Sequence, residues 1–362
     1  MRGGEKCLEA LLDIFPNAEV FTLFYEPSKI SQKINERNIH VHPISKIGII
    51  KKKYRNFIPV FPLILGKWPK LNGFDFVISS SHCVAKSFNS ANLPHLCYCY
   101  SPMRYIWDMF DDYFLKESVP LWKKAVMKTI RKPLQNWDKT SAQNVHQFIA
   151  ISSFIGERIQ NCYDKKSEII YPFADLEYYH ISDCTREDYY LVVSALVPYK
   201  NIEIVVNAFN QSKRKLVVIG TGPEESALKE LASENITFCG WAENDTIRSH
   251  YQKAKAFIFP GVEDFGITPV EAMACGCPII AYKKGGTLET VIDITEDSEN
   301  GTGLFYNESN ANSLNRSIDE FENMKNSFSN TQMRKQANNF SVEKYKKSIS
   351  KIVNQILLSS NG

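Results

Sequence analysis

Five short apolar runs, set apart by helical stretches or turns, constrain what the second half of this chain can become. They are Tyr190-Leu191-Val192-Val193-Ser194, Leu216-Val217-Val218-Ile219, Ile236-Thr237-Phe238-Cys239, Ala256-Phe257-Ile258-Phe259 and Pro278-Ile279-Ile280-Ala281. Each is rich in β-branched or aromatic residues, which fit a pleated strand. A strand with one wet face alternates apolar and polar residues. These runs do not, so both of their faces must be covered. Stretches 202–209, 224–232 and 246–253 read as helices and supply the cover. The expected product is a parallel sheet with helices on both sides, a doubly wound α/β domain over about residues 186–335.

The first half reads the same way with longer insertions. Its candidate strands are Val20–Phe24, His40–Ile44, Phe74–Ser79, Leu96–Tyr100, Phe148–Ser152 and Glu168–Tyr171, and Asp111–Lys139 is a long helical region. The strand-poor, polar stretch near residue 180 divides the two halves. We therefore expect a Rossmann-like domain over 1–172, a linker over 173–188, a second such domain over 189–335 and a closing segment over 336–362. That segment holds an amphipathic helix, Ser341–Leu358, with Val342, Tyr345, Ile349, Ile352, Val353, Ile356 and Leu357 on one side.

Composition excludes several classes. A net charge of +3 over 362 residues does not mark a nucleic-acid binder, and no nucleic-acid partner is expected. No run of about 18 apolar residues is present, so no membrane-spanning helix is expected. Met1-Arg2-Gly3-Gly4-Glu5-Lys6 carries no apolar signal core. The expected setting is the cytosol or the cytosolic face of a membrane. The nine cysteines, among them Cys97, Cys99, Cys239, Cys275 and Cys277 in or beside strands, read as reduced core thiols. The two C-x-C pairs lack a second pair at zinc spacing and read as core residues, whereas Asp75 and Asp108 in isolation are compatible with a metal. Lys51-Lys52-Lys53-Tyr54-Arg55 and the run from Lys123 to Lys132 read equally well as solvated faces or as peripheral contacts with anionic lipid.

The chemistry concentrates in Phe257-Ile258-Phe259-Pro260-Gly261-Val262-Glu263-Asp264-Phe265-Gly266-Ile267-Thr268-Pro269-Val270-Glu271. A strand ends at one carboxylate, a turn carries Gly266, and a helix is expected to open with a second carboxylate inside its first turn. Free backbone amides at a helix start accept an anion, and flanking carboxylates accept hydrogen bonds from sugar hydroxyls. A purely local alternative stands beside this: Thr268 as N-cap, Pro269 at the first helical position and Glu271 closing a capping box. That alternative leaves Glu263, Gly266 and the downstream Gly285-Gly286 without a reason.

The two Glu, with seven residues between them, resemble the signature of the retaining group 1 glycosyltransferases of the GT-B fold. Gly3-Gly4-Glu5-Lys6, Tyr98-Cys99-Tyr100-Ser101-Pro102-Met103-Arg104-Tyr105-Ile106-Trp107-Asp108, Ile149-Ala150-Ile151-Ser152-Ser153, Tyr171-Pro172, Val197-Pro198-Tyr199-Lys200 and Gly220-Thr221-Gly222-Pro223-Glu224 follow the family order. The stretch Ser101 to Asp108 is similar to the O-antigen mannosyltransferase subgroup. The resemblance implies two doubly wound domains facing a cleft, with the last helix crossing back to the first domain. It implies Glu263 and Lys200 as catalytic residues, Glu263 on the transferred sugar and Lys200 on the diphosphate. It further implies a nucleotide-sugar site of Gly3, Gly4, Lys200, Gly240, Trp241, Glu263, Phe265, Gly266, Ile267, Thr268 and Glu271. Here Glu271 holds the ribose, Gly240 and Trp241 lie near the base, and Tyr100 and Arg104 lie on the acceptor side. Gly220-Thr221-Gly222-Pro223 is read as structural.

The expected activity is transfer of a sugar, with GDP-mannose the favoured donor, to a glycan or lipid-linked acceptor in cell-surface polysaccharide synthesis. Retention at the anomeric carbon, no metal and no other cofactor are expected. Three departures from the family pattern bear on this: Ala195 where an Arg lies beside the diphosphate, Tyr100 where a His lies on the acceptor side, and no first strand before Gly3-Gly4. The last leads to the expectation that the reading frame continues upstream of Met1 with a short apolar strand. The first two keep open a non-catalytic nucleotide-sugar or glycan-binding protein. A nucleotide-sugar 2-epimerase is a further alternative.

Overall fold

In a computed structural model of the chain, residues 3–360 are described apart from 49–56, 58, 66, 67, 69, 70, 91, 116–118, 325 and 326. The basic stretch Lys51 to Arg55 lies outside the described residues. The chain forms two compact units, residues 1–171 with 346–362, and residues 172–345.

The first unit opens with the helix Gly3–Ile14, which buries Cys7, Ala10, Leu11 and Leu12. Gly3 and Gly4, read from sequence as a turn, are its first residues. The strands are β1 (Val20–Thr22), β2 (Ile39–Val41), β3 (Val77–Ser81), β4 (His95–Cys99), β5 (Gln147–Ala150) and β6 (Ser167–Ile169). All neighbours run parallel. Among the described residues they make two sheets, β1-β2 and β3-β4-β5-β6, rather than one doubly wound sheet. Side chains connect the two where no backbone ladder does. Phe21 of β1 meets the ring edges of Phe74 (5.8 Å) and Trp68 (5.9 Å), and Phe15 meets Phe76 at 5.2 Å. Every residue of β4 is buried, as its continuous apolar sequence requires.

The second unit is a six-stranded parallel sheet of β7 (Tyr190–Val193), β8 (Leu216–Ile219), β9 (Ile236–Gly240), β10 (Ala256–Phe259), β11 (Ile279–Tyr282) and β12 (Gly303–Tyr306). Their spatial order is β12-β11-β10-β7-β8-β9. The five runs read from sequence are β7 to β11, within one or two residues. The sheet packs on helices Ile202–Ser212 and Ala311–Met324 through a core that includes Val192, Val206, Phe209, Ile258, Leu314 and Ile318. Within this unit Arg334 donates to Leu176 O (2.7 Å) and Tyr179 O (2.8 Å), and Ala174 N donates to Phe340 O (3.1 Å), so the polar stretch near residue 180 is folded against it.

The closing helix runs Val342–Ser360 and buries Tyr345, Ile349, Ile352 and Val353. Its residues from Lys346 onward belong with the first unit, where Lys346 Nζ donates to Asp13 at 2.8 Å. Six of the nine cysteines are buried: Cys7, Cys97, Cys99, Cys162, Cys275 and Cys277. Cys239, read as a core thiol, is exposed, because β9 is an edge strand.

Candidate functional site

The chain winds one way from β7 to β8 and β9, then returns to the other side of β7 for β10, β11 and β12. The order therefore reverses between β7 and β10. In doubly wound sheets the crevice beyond the strand ends at such a reversal is where ligands bind. The residues that follow β7 and β10 here are Lys200 and Glu263. Lys200 closes the short turn Pro198–Lys200, and Asn201 behind it takes a left-handed conformation (φ 56°) before helix Ile202–Ser212 begins. Glu263 lies in the loop after β10. Lys200 Nζ and Glu263 Oε1 form an ion pair across the reversal, with side chains only 18% and 20% exposed. At that degree of burial a water-screened pair gives way to one that a competing anion and hydroxyl must displace.

The helix after β10 runs Ile267–Ala274 with Gly266 as N-cap at φ 84°, a conformation costly for any residue with a Cβ. No side chain caps it. The capping-box alternative is thereby set aside: Thr268 is already inside the helix, and Pro269, which has no N–H to lose, occupies the first turn. The first amides of a helix have no intrahelical partner, so Ile267 and Thr268 present N–H groups and the positive end of the helix dipole to an anion. Glu271, on the second turn, is buried. Its charge adds to the burial that pushes the Tyr179 and Tyr251 hydroxyls well above their ordinary range. Phe265 is buried and meets Phe340 edge-on at 5.4 Å.

Gly285-Gly286 holds this loop in place. Gly286 N donates to Glu263 O at 2.8 Å, and a Cβ on Gly286 would collide with the backbone of Asp264 and Phe265. The Gly220-Thr221-Gly222 turn acts similarly on the loop after β7: Leu196 N donates to Thr221 O (3.0 Å) and Glu224 N to Leu196 O (3.1 Å). Gly240 ends β9 and accepts from Gly220 N at 2.7 Å, and Trp241 beside it is 72% exposed, two strands away from β7 on the same sheet edge.

Ala195 is exposed in the loop after β7 and brings no cation there. The nearest arginines do not replace it. Arg186 donates to the backbone oxygens of Tyr251, Ala254 and Gly276, and Arg214 is bound to Asp319 and Glu322.

In the first unit, Tyr100 follows β4 and its hydroxyl donates to Gly4 O (3.2 Å) while sharing a hydrogen bond with Ser80 Oγ (3.0 Å). Burial holds this phenol well above its ordinary pKa, so it stays a neutral donor. Arg104 Nε donates to Ser101 Oγ at 3.4 Å, at the start of a loop that runs to Asp108. Sequence reasoning passed over what holds that loop. Arg131, Gln135 and Asp138 lie on one face of helix Leu121–Ala142, at spacings of four and three. Arg131 donates to Ile106 O (3.0 Å) and Trp107 O (2.9 Å), Gln135 to Ile106 O (2.8 Å), and Trp107 Nε1 donates to Asp138 at 2.8 Å. The available signal was a lone acid at helical spacing in an otherwise basic helix. Asp108 pairs with Arg158.

Parallel strands wound both ways thus place a cation, a carboxylate and uncapped helix amides at the reversal of a doubly wound α/β domain. Residues 183–340, within the second unit, match the family model for glycosyl transferases group 1. Over 191 residues the chain is 28% identical to an uncharacterized glycosyltransferase of Methanocaldococcus jannaschii, covering 51% of this chain and 52% of that protein. Over 130 residues it is 34% identical to a GDP-mannose-dependent alpha-(1-6)-phosphatidylinositol monomannoside mannosyltransferase of Mycobacterium tuberculosis, covering 31% and 32%. The chain thus spans about half or less of the curated relatives it matches. The structure of HepE from Anabaena in complex with UDP and glucose superposes with a TM-score of 0.68 over 98% of this chain and 96% of that one, at 16% identity. The likeness is one of fold, and the fold is the GT-B type expected.

Proposed function

We propose that this protein transfers a hexose from a nucleotide diphosphate donor to a glycan or lipid-linked acceptor, with retention of configuration and without a metal or other cofactor. The observation that carries the reading is the Lys200–Glu263 pair at the sheet reversal, in front of the uncapped helix Ile267–Ala274. A diphosphate that enters there takes Lys200 from its partner and meets the amides of Ile267 and Thr268. Glu263, released, accepts hydrogen bonds from the hydroxyls of the donor sugar, and Glu271 does so for the ribose. As the glycosidic bond breaks, charge grows on the leaving phosphate, where fixed donors stabilise it most. A lysine and a helix terminus already supply the positive charge that a metal would bring. GDP-mannose is the donor favoured by the 34% identity to a GDP-mannose-dependent mannosyltransferase. Cell-surface polysaccharide synthesis and peripheral contact with the cytosolic face of a membrane complete the reading, with Tyr100 and Arg104 on the acceptor side.

Two charge variants separate the carboxylates. Glu263→Gln keeps a hydrogen-bond acceptor but loses its charge, so transfer falls about tenfold while nucleotide affinity holds. Glu271→Ala lowers nucleotide affinity by a similar factor. Calorimetric titration with GDP and turnover of radiolabelled GDP-mannose read the two effects. Equal turnover by Glu263→Gln and the parent protein would remove Glu263 from the reacting sugar.

Exposed Ala195 favours a second reading, a nucleotide-sugar-binding protein without transferase activity. Binding of donor with neither transfer nor slow hydrolysis marks that case. Under the first reading, Ala195→Arg restores a guanidinium beside the diphosphate and tightens GDP binding roughly tenfold, as a charge-assisted bidentate contact does. Unchanged or weaker affinity would show that a diphosphate does not lie next to the loop after β7.

A further inference from the structure

Helix Leu121–Ala142 presents an outer surface that the proposed chemistry does not use. Leu121 is 81% exposed, Trp122 70% and Val126 48%. Residues four apart share a face, so Trp122 aligns with Val126 and Leu121 with Ala125, and exposed Thr129 and Pro133 continue the stripe. The helix is anchored from its other side by Met127 and Leu134, which are buried, so this apolar surface is not a displaced part of the core.

The charges that the helix itself carries at its surface are of one sign. Lys123, Lys124, Lys128, Arg131, Lys132 and Lys139 are the basic residues of the helix, and Asp138 is its single acid. Asp138 is fully buried on Lys86, so the acid contributes nothing to the surface. Arg131 is turned inward onto the loop at Ile106 and Trp107. Lys128 and Lys132 are exposed and lie four apart along the edge of the apolar stripe. The first turn holds two lysines and no acid, and Pro120 at the N-cap provides no side-chain cap. Lysines at the positive end of a helix oppose its dipole, which an ordinary solvated helix avoids by placing acids there. A negatively charged surface reverses that penalty. A tryptophan and aliphatic residues bordered by lysines are the composition of a helix lying at a bilayer interface, with the ring among the headgroups and the ammonium groups on their phosphates.

We propose that the first four turns of this helix dock on an anionic phospholipid bilayer. The proposal rests on the lipid-linked acceptor reading above for its purpose, but its test needs neither donor nor transfer. The full chain is sedimented with vesicles of phosphatidylcholine alone and of phosphatidylcholine with about a third phosphatidylglycerol, a fraction at which polybasic segments bind. The protein is expected to bind the anionic vesicles only, and to be released between low and high salt as screening shortens the reach of the charges. Lys128→Glu with Lys132→Glu should weaken binding by more than twentyfold, given roughly fivefold for each lysine removed. Trp122→Ser should weaken it while leaving the salt dependence in place. These side chains point outward, and circular dichroism of each variant establishes that the helix is intact. Should a variant unfold, quenching of parent-protein fluorescence by brominated lipid reads the same insertion. Equal binding to both vesicle types overturns the proposal, as does unchanged binding by the folded variants. So does retention on RNA or on an acidic protein with no vesicle binding. Vesicle binding by a chain that transfers no sugar would leave this proposal standing and refute the transferase reading alone.

Discussion

Lys200→Ala is expected to lower the turnover of a nucleotide-sugar donor by about 10²–10³-fold, the effect of removing one preorganised group from a developing anion. Several observations make this the largest activity effect for a single side chain. Lys200 lies where the strand order reverses, its side chain is 18% exposed, and the nearest arginines on either side in sequence are bound elsewhere. Exposed Ala195 supplies no second cation after β7. The loss should fall mainly on the rate of the chemical step, because charge on the leaving phosphate is greater in the transition state than in the bound donor. Single-turnover rates and GDP affinity, measured separately, divide the two contributions. Alanine also leaves Glu263 without its partner, so thermal unfolding of Lys200→Ala is the control. A variant that unfolds at a lower temperature than the parent yet turns over as fast would show that the ion pair serves the fold alone.

Much of the second unit was legible because its physics is local. β7, β8, β10 and β11 are continuous apolar runs, and nothing but a doubly covered strand accounts for them. β12 was passed over: Gly301-Thr302 precedes it, Gly303 opens it and only Leu304-Phe305-Tyr306 are apolar, too short a signal to separate from a turn. The exact helix start stayed open in the sequence because Thr268-Pro269-Val270-Glu271 is a satisfactory capping sequence by itself. What overrides it is the loop geometry imposed from outside, by Gly286 donating to Glu263 O. The proximity of Lys200 and Glu263 follows from topology rather than from either motif, since 63 residues separate them. In the first unit the strands were legible, but not their division into two sheets, because register and neighbour choice are long-range properties. The clamp of Arg131, Gln135 and Asp138 on the loop at Trp107 was likewise hidden. A basic helix reads as solvent-exposed until its one acid is found to be buried.

That acid carries the largest expected effect on stability. Lys86 and Asp138 are 1% and 0% exposed, and their ion pair spans 2.6 Å. Lys86 Nζ also donates to Asp138 O (3.1 Å) and Ser141 Oγ (3.1 Å) and lies 4.8 Å from the centre of the Tyr163 ring. Asp138 in turn accepts from Trp107 Nε1 (2.8 Å) and Tyr163 OH (2.9 Å). Lys86→Met keeps the length of the side chain and removes its charge. The carboxylate then stays buried with two neutral donors, and breaking such a pair from one side costs about 3–5 kcal/mol. That is a large share of the roughly 5–15 kcal/mol that holds a folded chain together. Urea unfolding followed by tryptophan fluorescence should show the midpoint fall accordingly. Asp138→Leu alone strands the ammonium and should cost a similar amount. The double variant Lys86→Met, Asp138→Leu should lose much less than the two single losses added, because neither charge is then left unpaired. It still removes the acceptor of Trp107, so the loop from Ser101 to Asp108 should loosen even where stability recovers, read as faster amide exchange there. Additive losses would show that the two groups act on the fold independently and that the helix face at Asp138 does not hold the loop through this pair.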